Sequence, residues 1–281
     1  MNEKVKRAVD VMAQWERSTT IGDVIRFKEN HRKQFVGDYH GYVKIFEGAF
    51  EVAAQTTEAL NYATKEKWAR HRSSQYPFFP NILETLFRAN DDFMDGFYDE
   101  ANILNRSVFE GIVRIIWASC HQEHHSNIWT KKQVGTPDFN VRNFLRDELK
   151  VDWEFIWNYT SMVTHSKRHR VVSLIMDLVR GKQRSVSWNL KYDKYLVTHP
   201  MNVATDLLWM ILRLIVVLFP DLQKKPFKAE GFERLLIAEA GLREMVAGIP
   251  TPKTPVFVSE VDKVFTIIKA AELNQPWRQL A

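Results

Sequence analysis

The sequence predicts an all-α protein, a multi-helix bundle built around one buried central helix at about residues 98–121. Apolar residues recur at helical spacing along most of the 281-residue chain. Glycine (11) and proline (10) are both scarce, which disfavours sheets joined by many tight turns. Apolar residues make up 45% of the chain and charged residues 26%, so a disordered or fibrous protein is excluded.

Four helices are predicted before the central one, at residues 3–17, 23–35, about 42–70 and 82–94. Asp23 is placed as the N-cap of the second helix, and Asn81 as the cap of the fourth. The segment 72–80 contains two prolines and is predicted to end the third helix. Gly96 separates the fourth helix from the central one, which is apolar nearly all round and should lie inside the fold.

The second half of the chain is predicted to be mainly helical as well. A loop at 126–137 precedes short helices at 139–148 and 152–164. Later helices are predicted after Pro200 as far as Phe219, at about 231–247 and at 258–271. Residues 171–193 are ambiguous between helix and strand and allow one small β-hairpin. The predicted organisation is an N-terminal helical region (1–80), a core helical domain (81–220) and a C-terminal helical appendage (221–281), with one continuous domain as the alternative.

The cysteine content and the apolar segments indicate the cellular compartment of the protein. The single cysteine, Cys120, cannot form an internal disulfide, which fits a reducing compartment, and the first 17 residues contain no apolar signal segment. The longest apolar stretch, 207–219, contains Arg213 and is shorter than the roughly 20 residues that cross a bilayer. We therefore expect a cytoplasmic protein without membrane contact.

Three charged residues interrupt the apolar surface of the central helix. Arg106, Glu110 and Arg114 follow one another at intervals of four, so they form one stripe along the helix. Burying charge is costly unless the charge is paired or used. The stripe is therefore either a structural ion-pair ladder or a pocket wall in which Arg106 binds an anion.

A second group of polar residues lies further along the chain. Ser161 and His165 are four residues apart, on one face of a predicted helix. The segment 165–194 follows, with a local net charge of +6, whereas the rest of the chain sums to −1. Its candidate nucleic-acid-binding residues are Lys167, Arg168, His169, Arg170, Arg180, Lys182 and Arg184. Such a pattern is typical of polyanion binding, nucleic acid above all, and also of a solvated surface.

The end of the central helix has the spacing of a metal site but lacks a full set of ligands. Cys120 and His124, and likewise His121 and His125, are four residues apart, yet no second cysteine or paired motif completes a tetrahedral set. No metal or other cofactor is therefore expected. The chain also lacks a Walker loop, a dinucleotide fingerprint, a nucleophile elbow and an HExxH motif.

Two motifs carry a family resemblance. The pattern Leu104-x-Arg106-Ser107-x-Phe109-Glu110, followed by Tyr159-x-Ser161-x-x-x-His165, resembles an uncharacterised bacterial all-helical domain family, over about residues 81–219. That family in turn resembles the HEPN superfamily of helical bundles. The resemblance implies a metal-independent ribonuclease of a toxin or phage-defence system, and a homodimer.

HEPN ribonucleases carry an arginine followed by a histidine after four to six residues, and two segments fit this pattern. Arg26 and His31 are one match, with Phe27 where the family commonly has a polar residue, and Arg114 and His121 are the other. Chance alone predicts about as many matches as the two observed, given the arginine and histidine content of the chain. The Arg114–His121 match has the better context, because it lies at the end of the central helix beside the charged stripe.

These observations predict a helical protein that binds RNA or another phosphate ligand, with the HEPN resemblance implying cleavage of that RNA. His165 or His121 would then act as general base or acid, and Arg106 or Arg114 would stabilise charge on the scissile phosphate. The candidate catalytic residues are Arg106, Glu110, Arg114, His121, Ser161 and His165. The alternative is a non-catalytic interaction or sensor module, in which Arg106 and Glu110 form a structural pair and the basic segment docks a protein partner from the same operon.

Overall fold

The computed structural model describes residues 21–63, 70–128, 139–153, 194–219, 229–248, 254–274 and 276–281. Regular structure in these residues is entirely helical, which confirms the predicted all-α multi-helix bundle. The α-helices are α1 (Ile21–Asp38), α2 (His40–Ala63), α3 (Arg70–Gln75), α4 (Phe78–Met94), α5 (Tyr98–Cys120), α6 (Val141–Asn143), α7 (Lys194–Leu218), α8 (Ala229–Ala247) and α9 (Thr254–Glu272). A 3-10 helix spans Gln122–Ile128, a π-helix continues α6 over Phe144–Leu149, and a last 3-10 turn spans Trp277–Gln279.

Helix α5 is the buried central helix that the sequence predicts. It packs against α4, α7 and α9, and its fully buried side chains include Phe109 and Ile112. Gly111 lets α4 approach closely, because a Cβ there would lie nearer than 3.0 Å to a methyl carbon of Ile82. The turn before α5 contains Gly96 at φ +91°, a left-handed conformation that favours glycine.

Helix α7 supplies much of the remaining core, and it differs from its prediction in where it begins. It starts at Lys194 and runs through Pro200, whereas the sequence predicted a start after that proline. Pro200 costs one intrahelical hydrogen bond. Val197, on its N-terminal side, is fully buried, so tertiary packing holds the first turns in helical form.

One helical segment in the described part of the chain is long and apolar enough to span a bilayer. It is Pro200–Leu218, and 78% of it is buried inside the protein. The buried core helix of a soluble protein meets the same criterion of length and composition.

The segment 72–80 is not the simple break that its prolines predicted. Helix α3 reaches Gln75, and α4 begins at Phe78, directly after Pro77. Pro80 lies in the first turn of α4, where a missing N–H breaks no intrahelical bond. Asn81 is consequently inside α4 rather than its cap.

Helices α1, α4, α5, α8 and α9 begin and end within four residues of their predicted bounds, whereas α2 ends at Ala63 instead of residue 70 and residues 152 and 153 are not helical. One further correction concerns a cap. Asp23 lies in the first turn of α1 and pairs with Arg26, so it is not the cap of a helix that starts after it. The predicted segments 3–17 and 171–193, and residues 154–164 of another, lie outside the described residues, as does the expected hairpin. The division of the chain at residues 80 and 220 stays a prediction.

Candidate functional site

The charged stripe predicted on the central helix is present on α5. Arg106 Nε donates a hydrogen bond of 3.0 Å to Glu110 Oε1. The two side chains are 19% and 31% exposed, so the pair is neither fully buried nor free in solvent. The contact follows from helix geometry, because residues four apart lie above one another. It holds the Arg106 guanidinium close to the helix surface.

Arg114, the next charged residue of the stripe, is held by an aromatic ring. Its guanidinium carbon lies 4.6 Å from the centre of the Phe139 ring, within the range of a cation–π contact. Phe139 also contacts Trp117 edge-on, at 5.9 Å between ring centres. Since Phe139 precedes α6, the segment that leads into α6 covers this part of α5.

His121 follows directly after α5 and is enclosed by aromatic rings. It stacks on Trp117, with the ring centres 4.5 Å apart, and meets the edge of Phe144 at 5.8 Å. Its Nε2 lies 3.0 Å from Glu148 Oε2, and its Nδ1 lies 3.1 Å from the Trp117 carbonyl oxygen. The His121 side chain is only 6% exposed.

Opposing effects act on the pKa of His121. Burial lowers this pKa because it disfavours the charged ring, and the positive charge of Arg278 acts in the same direction. The Glu148 carboxylate and the Trp117 carbonyl oppose the decrease because both favour a protonated ring. Burial dominates, so the pKa of His121 is lowered.

Together these residues form one row along α5 and the residue that follows it, which we call the α5 stripe: Arg106, Glu110, Arg114, Trp117 and His121. Successive members are three or four residues apart, so they share one face of the helix. At 1.5 Å of rise per residue, the stripe is about 22 Å long. The segment from Phe139 to Leu149 covers its C-terminal end, through Phe139, Phe144 and Glu148.

The other arginine–histidine match does not form a site. Arg26 pairs with Asp23 at 2.6 Å, and its side chain is 72% exposed. His31 is buried: its Nδ1 donates to the Met94 carbonyl, and the Tyr98 hydroxyl donates to its Nε2, both at 2.6 Å. Both nitrogens of a neutral His31 ring are thus satisfied, and the residue ties α1 to the turn between α4 and α5.

The metal-like spacing after Cys120 is altered by the fold. Helix α5 ends at Cys120 and a 3-10 helix follows, so Cys120 and His124 do not lie on one continuous α-helix. His125 Nδ1 instead lies 2.6 Å from the hydroxyl oxygen of Ser74 on α3. Burial raises the pKa of the Cys120 thiol, and the carboxylates of Glu148 and Glu272 act in the same direction. In the part of the chain that the structure describes, no three His, Cys, Asp or Glu residues are placed to hold a metal ion.

The predicted site and the observed stripe differ in two groups of residues: predicted residues that lie outside the described part of the chain, and contributing residues that were not predicted. Ser161, His165 and the seven basic candidates from Lys167 to Arg184 lie outside the described residues, so their place relative to the α5 stripe stays a prediction. Phe139 and Glu148 contact the stripe, and Arg278 acts on His121 electrostatically, but none of the three was predicted. These interactions join residues far apart in the sequence, which no local pattern signals.

Comparison of the chain with protein-family models, with curated proteins and with solved structures finds no match. The resemblance to a HEPN-related family therefore stays a prediction. The class that the fold defines is the all-α multi-helix bundle, with a stripe of paired charges on its central helix.

Proposed function

We propose that the α5 stripe binds phosphate groups of RNA or of another phosphate ligand. The observation that supports this is the pair of held guanidinium groups, with Arg106 fixed by Glu110 and Arg114 by Phe139. A guanidinium presents a planar fork of donors that matches phosphate oxygens. Because both groups are already ordered, binding an anion costs less side-chain entropy than it would at free surface arginines.

Cleavage of the bound RNA is the stronger form of this proposal. A histidine within 3.0 Å of a carboxylate has the arrangement of many general acids and bases, and His121 has such a partner in Glu148. His165 is the other candidate that the sequence motif offers. In the cleavage reaction the ribose 2′-oxygen attacks the phosphorus and the bond to the 5′-oxygen breaks; the general base takes the 2′-hydroxyl proton and the general acid protonates the 5′-oxygen.

A specific observation favours the non-catalytic alternative. The His121 side chain is 6% exposed, and both of its ring nitrogens already face protein groups. In this alternative the contact between His121 and Glu148 holds the π-helix that follows α6 against the end of α5. Arg106 and Glu110 then only stabilise α5. The protein would then be an interaction or sensor module.

The first experiment measures RNA affinity at several salt concentrations for the wild type, Arg106→Ala and Arg114→Ala. Each substitution should weaken binding about tenfold, close to the loss of ~1.5 kcal/mol for one hydrogen bond to a charged group. Each should also reduce the dependence of log affinity on log salt by about one. The matched control is Arg88→Ala, because Arg88 forms an equivalent i,i+4 pair with Glu84 on α4 at 67% exposure.

Three outcomes of this experiment are informative. Loss of affinity in the two α5 variants but not in Arg88→Ala supports the proposed site. Equal losses in all three variants would show diffuse charge attraction instead of a site on α5. Absence of RNA binding in the wild type would contradict RNA as the ligand and favour the interaction module.

A second assay separates binding from cleavage. The wild type, Arg114→Ala, His121→Ala and His165→Ala are incubated with total cellular RNA and with a tRNA pool, with and without EDTA. Cleavage that persists in EDTA and disappears in folded variants would establish a metal-independent ribonuclease. Intact RNA together with salt-dependent binding would restrict the function to binding.

A further inference from the structure

The hydroxyl of Ser74 on α3 contacts an imidazole from another element of the fold. Hydroxyls of five other helical residues bond to the carbonyl four residues earlier on their own helix: Thr56, Thr85, Ser107, Thr205 and Thr266. Ser74 Oγ instead lies 2.6 Å from Nδ1 of His125, which belongs to the 3-10 helix after α5. Both residues are half-buried, so the pair is not closed off from solvent.

The two short helices that carry this pair are fixed to the core by neighbouring side chains. Next to Ser74, the buried Gln75 donates to the Ile115 carbonyl at 3.0 Å and to the Ser119 hydroxyl at 2.7 Å, both on α5. The 3-10 helix is fixed at its start, where Gln122 donates to the Ala271 carbonyl of α9 at 2.8 Å. Bonds to α5 and α9 therefore hold the hydroxyl and the imidazole in place before any ligand binds.

We propose that Ser74 and His125 form a nucleophile–base pair that takes an acyl group from an ester. A hydroxyl and an imidazole within about 2.6–3.2 Å of each other have the arrangement in which a histidine activates a serine for attack. The pair shares no residue with the α5 stripe, so this inference does not rest on the proposed function.

The proposal does not depend on one tautomer of His125 in the resting protein. A serine hydroxyl both donates and accepts, so either tautomer forms the contact with Ser74 Oγ. A half-buried imidazole exchanges its proton with water, and the ring therefore reaches the tautomer that has its lone pair on Nδ1. In that tautomer the Ser74 hydroxyl donates to Nδ1, as attack requires.

The reaction has two steps. In the first, Ser74 Oγ bonds to the acyl carbon, its proton passes to His125 Nδ1, and the bond to the ester's alkoxy oxygen breaks. The proton then moves from His125 to that oxygen, which leaves as an alcohol. In the second step His125 takes a proton from water, the water oxygen bonds to the acyl carbon, and Ser74 regains its hydroxyl as the carboxylic acid is released.

The first test labels the wild-type chain with a fluorophosphonate, an electrophile that reacts with activated serines. Ser74 Oγ should bond to phosphorus and displace fluoride, and peptide mass mapping should locate the label on Ser74. Ser73 is the internal control, because it is an exposed serine on the same helix. Absence of label from Ser74, or equal labelling of Ser73 and Ser74, would overturn the proposal. This test uses no variant, so it does not depend on the folding of one.

A comparison of two histidine variants tests the role of the base. His125→Gln should label at least about tenfold more slowly than the wild type, because a positioned general base contributes that much or more. His124→Gln is the matched control, since it removes an imidazole one residue away, and it should label at the wild-type rate. A wild-type rate in His125→Gln would overturn the pairing.

Acyl transfer itself is tested with para-nitrophenyl acetate. The wild type and Ser73→Ala should release about one equivalent of nitrophenol rapidly and then turn over more slowly, as expected for an acyl intermediate. Ser74→Ala should lose the rapid phase. The same rapid phase in Ser74→Ala as in the wild type would refute Ser74 as the acyl acceptor.

Discussion

Replacement of Gly111 by alanine tests the close approach of α4 to the central helix. In an exposed helix interior, alanine is more stable than glycine by about 0.5–1 kcal/mol. Gly111 is different because the new Cβ would lie closer than 3.0 Å to a methyl carbon of Ile82, a separation that real Cβ atoms essentially never show. Ile82 is 2% exposed, so its side chain has little room to move away.

The two effects have opposite signs, and their sizes predict the outcome. Overpacking a core by one methyl group costs roughly 1–3 kcal/mol, against a gain of at most about 1 kcal/mol from helix propensity. We therefore expect Gly111→Ala to destabilise the protein by about 1–2 kcal/mol. The matched control is Gly48→Ala on α2, where nothing lies within 4 Å of the new Cβ, and which should stabilise by about 0.5–1 kcal/mol.

The assay is urea denaturation followed by far-UV circular dichroism. Ile82→Leu removes the methyl branch at Cβ, so combining it with Gly111→Ala should cost less than the sum of the two single substitutions. A Gly111→Ala variant as stable as the wild type, measured beside a stabilised Gly48→Ala variant, would refute the reasoning. It would show that α4 and α5 can separate at no cost.

Two further predictions concern buried polar groups on α7. Burial raises the pKa of Asp206 well above its ordinary value, and one of its carboxyl oxygens has no hydrogen-bond partner among the described residues. The protonated acid therefore stabilises the folded protein fully below the unfolded pKa of about 3.9, and this stabilisation is lost as pH rises through the folded pKa. Because asparagine does not titrate, urea midpoints of Asp206→Asn should fall less with rising pH than those of the wild type. An equal pH dependence in both proteins would contradict this prediction. Trp209 Nε1 donates a hydrogen bond of 2.8 Å to the buried Glu239 carboxylate. Trp209→Phe should therefore lower the free energy of unfolding by about 1–3 kcal/mol in the same assay. No loss would show that the Arg213 guanidinium, which donates to the same Glu239 oxygen at 3.3 Å, suffices as a donor.

Much of the fold follows from local pattern. The apolar surface of α5 identifies it as the central helix, and the Tyr98–Cys120 bounds lie close to the predicted 98–121. Predictions based on proline were less successful, because α7 continues through Pro200. Proline lowers the stability of a helix by a few kcal/mol at most, and burial of neighbours such as Val197 offsets a cost of that size.

In the candidate site, too, contacts within one helix follow from the sequence, whereas contacts between separate elements do not. Arg106 and Glu110 form the pair that their spacing indicates, since helix geometry alone brings residues four apart into contact. The sequence favoured the Arg114–His121 match over the Arg26–His31 match because of its place at the end of the central helix, but it did not show the partners of either pair. The structure supplies those partners: Arg26 pairs with Asp23, whereas Arg114 lies against Phe139.

The sequence by itself determined the helical class, the central helix and the charged stripe along it, because each depends on residues within one or two helical turns. The tertiary structure decided which groups hold that stripe. Phe139 lies over Arg114 and Glu148 bonds to His121, although each pair is more than twenty residues apart in the chain. Such contacts depend on how helices and connecting segments pack in three dimensions, and local periodicity carries no record of that packing.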